Sequence, residues 1–207
     1  MNLKHSLFLL QYVDSYPGCP PYLSGEFNFS EFEWEPLDPN AVNAVITKKY
    51  IFRSDMKYIN FDYYGSLRIA SKQFLRVCDE TNVEYRAVPL EIILEGGNKS
   101  EKSYFLLLFK NHMDVLDRDK SVFEDAKDPR TGELIEDKLY PGSNSYDKID
   151  SFVPKEIEFP PLFICIETGD VFCTEVFEIE AEKLALLGLS FTKIDTEYKY
   201  DPFADFS

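Results

Sequence analysis

Three aspartates, Asp114, Asp117 and Asp119, fall within six positions just after the apolar run "SYFLLLF". Carboxylates so close together could hold a divalent cation, or share acid and base roles in metal-assisted hydrolysis. A calcium loop sets alternate carboxylates ahead of a glycine and a distal glutamate. Asp117 and Asp119 have that first spacing, but Arg118 and Lys120 interleave with them and no glycine follows. Each basic residue competes for the carboxylates. The pattern therefore favours pairing with local cations, or capping of a turn at "DKSVFE", over a metal centre.

Other chemistries find less to work with. His5 and His112 are the only histidines, and His112 follows an apolar strand with no orienting partner visible in sequence. A nucleophile needs an oriented base beside it, so His112 reads as a strand-end or surface residue. Cys19, Cys78, Cys165 and Cys173 form no C-x-x-C pair and have no histidine nearby. Zinc prefers tightly spaced soft ligands, so free buried thiols in a reducing compartment are expected instead. Gly96–Gly97 stand alone, and "TGELIED" lacks the Lys and Ser or Thr of a phosphate loop. A dinucleotide fingerprint is likewise missing. No catalytic, cofactor-binding or metal-ligating residue is assigned, and no cofactor is expected.

Charge points elsewhere. Asp and Glu number 37 against 22 Lys and Arg, a formal balance of −15. Such a field repels nucleic acid and anionic membrane and speeds encounter with a basic protein, besides favouring solubility. "SLFLLQYV" is too short to span a bilayer and no small-residue cleavage site follows it, so a cytoplasmic protein is expected. Two stretches could meet a partner. In "EFNFSEFEWEP", Trp34 would be a buried anchor and Glu31, Glu33 and Glu35 its charged rim; the same pattern also fits a sheet edge guarded by glutamates. The polar segment 125–150 offers Asp137, Asp147 and Asp150 as further contacts, or is a solvated excursion.

The elements that must position these residues are mostly strands. With 18 Phe and 13 Tyr, the 207-residue chain is suited to sheet and long enough to bury a core without disulfides. Strands are expected at "SLFLLQYV", "EFNFSEFEWE", "AVNAVITKKYIF", "LRIA", "VEYRAVPLEIIL", "SYFLLLFKN", "SFVPKEIEF", "PLFICIE", "VFCTEVF" and "SFTKID". "SYFLLLFKN" does not alternate, which fits a strand buried on both faces. Ser71 reads as the N-cap of a helix with Phe74, Leu75 and Cys78 on its apolar stripe, and "EIEAEKLALLGL" as a second helix. Segment 125–150 would carry at most one short hairpin, around "ELIEDKLY", and the tail "TEYKYDPFADFS" has no periodicity. A faint repeat of strand, helix and strand links "RIASKQFLRVCDETNVEYRAV" to "DVFCTEVFEIEAEKLALLGLSFTKI". The expected fold is a single α+β domain over residues 1–207, a mainly antiparallel sheet carrying two helices, with a long polar loop.

The order of these pieces resembles the immunity proteins of bacterial polymorphic-toxin and contact-dependent growth-inhibition systems, in particular the immunity protein 11 and immunity protein 43 types. The resemblance covers about residues 67–195. It is carried by the Ser71-opened helix, Val88–Pro89 ending a strand, Asp114, Leu116–Asp117 and Ser121, then Leu162–Phe163, Gly188–Leu189 and Phe191. Cys173 stands where the second helix-opening serine would be, and Ser190 replaces an expected glycine region. The resemblance implies an antitoxin-like inhibitor without chemistry of its own, which binds a cognate toxin domain, basic at its active face, and occludes that site. It also makes "DVLDRDKS" a recurring turn of the fold. Two other functions fit the residues: a metal-dependent hydrolase built on Asp114, Asp117 and Asp119, and an adaptor for an unrelated basic partner.

Overall fold

The computed structural model describes residues 6–202. His5 and the last five residues of the aperiodic tail lie outside them. In chain order the elements are β1 (Leu7–Tyr12), β2 (Gly25–Phe27), β3 (Tyr50–Ser54), β4 (Tyr63–Tyr64), β5 (Ile69–Ser71), α1 (Lys72–Glu80), β6 (Tyr85–Ile93) and β7 (Tyr104–Phe109). There follow β8 (His112–Met113), β9 (Val122–Asp125), β10 (Tyr146–Ser151), β11 (Leu162–Cys165), β12 (Val171–Thr174), α2 (Glu175–Lys183) and β13 (Leu189–Ile194). The fold is α+β, with most strand pairs antiparallel; the expected sheet is divided in two. One sheet runs β13-β1-β12-β11-β8 and the other β2-β3-β6-β7-β5-β4, with β9 and β10 forming a separate ribbon. Among the described residues only β3–β6 and β8–β11 pair in parallel.

Period-two side-chain geometry explains how the apolar strands are used. Leu107 and Phe109 of β7 face a core shared with both helices, while Tyr104, Leu106 and Leu108 face a second core. In the other sheet, Leu162 and Ile164 of β11 join the shared core and Phe163 and Cys165 a third. The helices meet through Phe74 and Phe177, whose ring centroids are 5.5 Å apart. Each sheet is thus buried on both faces: by helices within, and outside by the 19–46 segment or by the β9–β10 ribbon and its flanks. Strands in that position read as unbroken hydrophobic runs.

The two helix starts differ. Ser71 Oγ accepts from the backbone N–H of Gln73 and Phe74 and donates to buried Asp62. Asp62 also receives Lys102 Nζ at 2.8 Å and the Leu187 N–H at 2.7 Å, which ties the loop after α2 to the start of α1. The second helix opens at Thr174, not Cys173, with no side-chain cap bond but with Glu175 and Glu178 in its first turn, a favourable place for negative charge. It begins three residues earlier than "EIEAEKLALLGL" suggests, so "VFCTEVF" is strand only to Thr174. After α2 the chain turns through Ala185 and Gly188. At Gly188 φ is +80°, a conformation glycine adopts without strain, and a Cβ there would press on Tyr12 at 3.1 Å and on Cys19 Sγ at 3.2 Å.

Three expected strands shrink. "EFNFSEFEWE" is strand only through Phe27, because the Asn28 side chain takes over the pairing: Nδ2 donates to Lys49 O and Oδ1 accepts from the Ile51 N–H. "AVNAVITKKYIF" is a short 3-10 turn at Ala41–Asn43, and extended pairing starts at Tyr50. "SFVPKEIEF" is irregular after Ser151, with one bridge from Pro154 to Leu116. The polar segment 125–150 is more ordered than a loop. The β9–β10 pairing continues outward through bridges Lys127–Leu134 and Glu136–Asn144.

Candidate functional site

The aspartate cluster is held by its own neighbours. Asp117 pairs with Lys120 at 3.0 Å and accepts the Asp119 N–H, closing a turn rather than capping a helix. Asp114 pairs with Lys155 at 2.6 Å. Arg118 turns away, gripping Asp125 through two bonds of 2.8 and 2.9 Å and lying over the Phe123 ring at 4.4 Å. Asp119 is exposed. The segment is seated by Glu167, a residue that sequence reasoning missed. Its buried Oε1 accepts the N–H groups of both Val115 and Leu116, at 2.8 and 2.7 Å. Burial raises the Glu167 carboxyl pKa, and Cys165 Sγ donates to its other oxygen. Among the described residues no three His, Cys, Asp or Glu side chains group as a metal-holding set.

The aromatic–acidic segment is a fixed structure. Phe27, Phe29, Phe32 and Trp34 gather on Tyr50 of β3, with Trp34 4.9 Å from Phe32 and 5.2 Å from Tyr50 between ring centroids. Trp34 is half-buried, while Glu31 and Glu35 are exposed on either side of it. Glu33 differs from its neighbours. It accepts from Thr47 Oγ1, from the Thr47 and Lys48 N–H groups at 3.1 Å, and from Tyr50 OH at 2.9 Å. These donors, Thr47 foremost, pull its carboxyl pKa down to about 2. Glu33 therefore pins the segment to the start of β3, and the free charge around Trp34 belongs to Glu31 and Glu35.

The polar arm returns to the same side. Asp137 Oδ1 accepts from the Leu139 and Tyr140 N–H groups, shaping the turn that presents Tyr140. Tyr140 OH donates to Leu37 O at 3.0 Å and lies 2.7 Å from His112 Nδ1. So His112, a strand-end residue as expected, does have a partner, one supplied from 28 positions away. Burial lowers its pKa, which favours the neutral ring. Tyr140 thus brings the arm against Leu37, just beyond Glu35. Asp147 and Asp150 lie farther along the ribbon, both exposed, with Asp150 3.3 Å from Lys148.

Beside the aromatic segment lies a cleft of about 700 Å³, lined by Phe32, Trp34 and Leu37, by β1, by the Thr168–Asp170 turn and by Tyr63, Tyr64 and Arg68. None of the cleft's polar groups stood out in sequence, because they come from separate segments.

A family model described as Immunity protein 43 matches residues 44–201. The chain belongs to the Immunity protein 43 family. No curated protein matches it. The match extends beyond both ends of the 67–195 resemblance. For this member of the immunity protein 43 family, it takes in the Asp114–Ser121 turn, the polar arm and both helices, while Glu31, Glu33, Trp34 and Glu35 precede it. The four cysteines of this immunity protein are free and buried. No helix among the described residues is long and apolar enough to cross a membrane.

Proposed function

We propose that this immunity protein binds one cognate toxin domain in the cytoplasm of the producing cell and neutralises it by covering its active site or substrate cleft. The family match over residues 44–201 carries the proposal. The contact face is centred on Trp34, with Glu31 and Glu35 as an exposed acidic rim and Asp147 and Asp150 of the ribbon as outlying charges. Glu33 and Asp137 hold that face in shape through bonds within the chain. A net charge of −15 suits a toxin that is basic where it meets its own substrate, and it accelerates encounter. An inhibitor by occlusion needs no reaction of its own. The lysines paired with Asp114 and Asp117 leave the metal-hydrolase alternative with little to build on.

Co-expression with the product of the adjacent upstream gene tests the proposal. The intact protein should co-purify with that product and restore growth. Trp34→Ala with Glu31→Gln and Glu35→Gln should weaken binding by more than about tenfold, as loss of a central aromatic anchor does. Unchanged binding by the triple variant would remove this face from the interface.

A further inference from the structure

At one end of its sheet, β13 pairs with β1 alone among the described residues. The Val13 N–H donates to Gly188 O at 3.1 Å, and this sets the alternation of the ladder: Gln11–Ser190, Leu9–Thr192 and Leu7–Ile194 are its hydrogen-bonded pairs. The N–H and C=O groups of Leu189, Phe191 and Lys193 therefore point away from β1, and none of them has a partner among the described residues. This free edge has a stop at each end. Before it, the N–H and C=O of Leu187 are both taken by Asp62. After it, the chain bends at Asp195, whose carboxylate accepts the Glu197 N–H, and Tyr198 carries the tail onto the Phe172 ring. The strands at the other sheet ends, β2, β4 and β8, are three, two and two residues long, as edges often are where a fold guards them. In contrast, β13 has six residues and only Lys193 as a guard.

We propose that this edge is a contact between two copies of the chain: β13 pairs antiparallel with β13 of a second copy, about a twofold axis through Phe191. A row of outward N–H and C=O groups is answered by another extended backbone. The register follows from the free window. Centring on Phe191 sets Phe191 against Phe191 and Leu189 against Lys193, so every outward residue of β13 gains a partner in both copies. Ser190 then faces Thr192 in the closer, non-hydrogen-bonded position, which suits small hydroxyl side chains. Lys193 meets Leu189, not another lysine. The stops at Leu187 and Asp195 leave the window symmetrical about Phe191, as an isologous contact requires. Charge selects a second copy over a basic partner. The chain holds 37 Asp and Glu, yet residues 185–194 and the whole of β1 contain none, and Lys193 is their only charge. A basic strand would find nothing in them to attract it, whereas two copies meet here without opposing carboxylates. Their remaining negative charge is screened beyond about 8 Å at physiological salt. The proposal does not rest on the toxin reading.

Sedimentation equilibrium of the full-length protein at about 1–200 µM tests this. An edge of this length is smaller than a standard interface, so the dimer should have a dissociation constant of about 10 µM and should tighten as salt screens the net charge. Lys193→Pro removes an outward N–H from each copy and leaves the β1 ladder intact. It should weaken the dimer at least about tenfold, with the melting temperature little changed. A second measurement reads the register without that variant. An equal mixture of Ser190→Cys and Thr192→Cys should form a disulfide-linked dimer under mild oxidation faster than either alone, because these positions face each other at about 4.5 Å between Cα atoms. Should Lys193→Pro lower the melting temperature, the cross-linking decides. A chain still monomeric at about 200 µM, a dimer indifferent to Lys193→Pro, or cross-linking no faster in the mixture would overturn the proposal. So would a monomer in which Lys193→Pro abolishes capture of the upstream gene product, a result that would give the edge to a toxin strand.

Discussion

Replacing Ser71 with alanine removes three hydrogen bonds at one point: two accepted from the Gln73 and Phe74 N–H groups and one donated to Asp62. Loss of the cap alone costs about 1 kcal/mol. Asp62 is 1% exposed and keeps Lys102 and the Leu187 N–H, but losing a donor to a buried carboxylate costs about 1.5–3 kcal/mol more. The sum, about 2.5–4 kcal/mol, is a substantial part of a typical stability of about 5–15 kcal/mol, so the variant should fold but weakly. At about 2–4 °C per kcal/mol for a chain of this size, the melting temperature should fall by about 5–16 °C. Urea unfolding followed by far-ultraviolet circular dichroism and by Trp34 fluorescence gives the midpoint and slope. The midpoint should drop with the slope unchanged, since the surface exposed on unfolding is the same. A loss below about 1 kcal/mol would refute the view that Ser71 and Asp62 act together to fix α1 against the loop after α2.

Glu33→Gln should release the aromatic segment locally, because the Gln amide group would face the N–H donors of Thr47 and Lys48; their hydrogen exchange should quicken by roughly tenfold while the core stays protected. Glu33 and Glu91 both have pKa values pulled down to about 2, Glu33 chiefly by Thr47 and Glu91 by Lys49 and Lys99. Their contribution is present above the usual 4.5 and lost as pH falls from there toward 2, so acid titration of the wild type should show loosening in that window, reduced in Glu33→Gln. The four thiols are buried, and burial pushes the Cys78, Cys165 and Cys173 pKa values up. They should react with Ellman's reagent slowly or not at all in the native protein and fully in denaturant; rapid native labelling of Cys165 would contradict its packing.

The parts of the fold most legible in sequence were those where local chemistry and final structure agree. Ser71 capped the helix that its position announces, with Phe74, Leu75 and Cys78 inside. The unbroken run at β7 signalled burial on both faces. The N-terminal strands were misjudged because alternation of Phe and Glu suits either a strand or a curled aromatic cluster, and Asn28 settles the matter through side-chain bonds to Lys49 and Ile51. The start of α2 was misplaced since Thr174 makes no side-chain cap bond to mark it. The division into two sheets depends on pairings such as β1 with β13, between opposite ends of the chain, which no local pattern encodes. The cleft is invisible for the same reason: Trp34, Tyr63, Arg68 and the Thr168–Asp170 turn converge only once both sheets are in place.

The affinity of the purified protein for the product of the gene immediately upstream, taken by calorimetry at roughly 50 mM and 500 mM salt, is the most direct test of the proposed inhibition. The dissociation constant should be about a nanomolar at low salt and weaken by at least about tenfold at high salt, as an acidic inhibitor on a basic face requires. No binding at micromolar concentrations at either salt would contradict it.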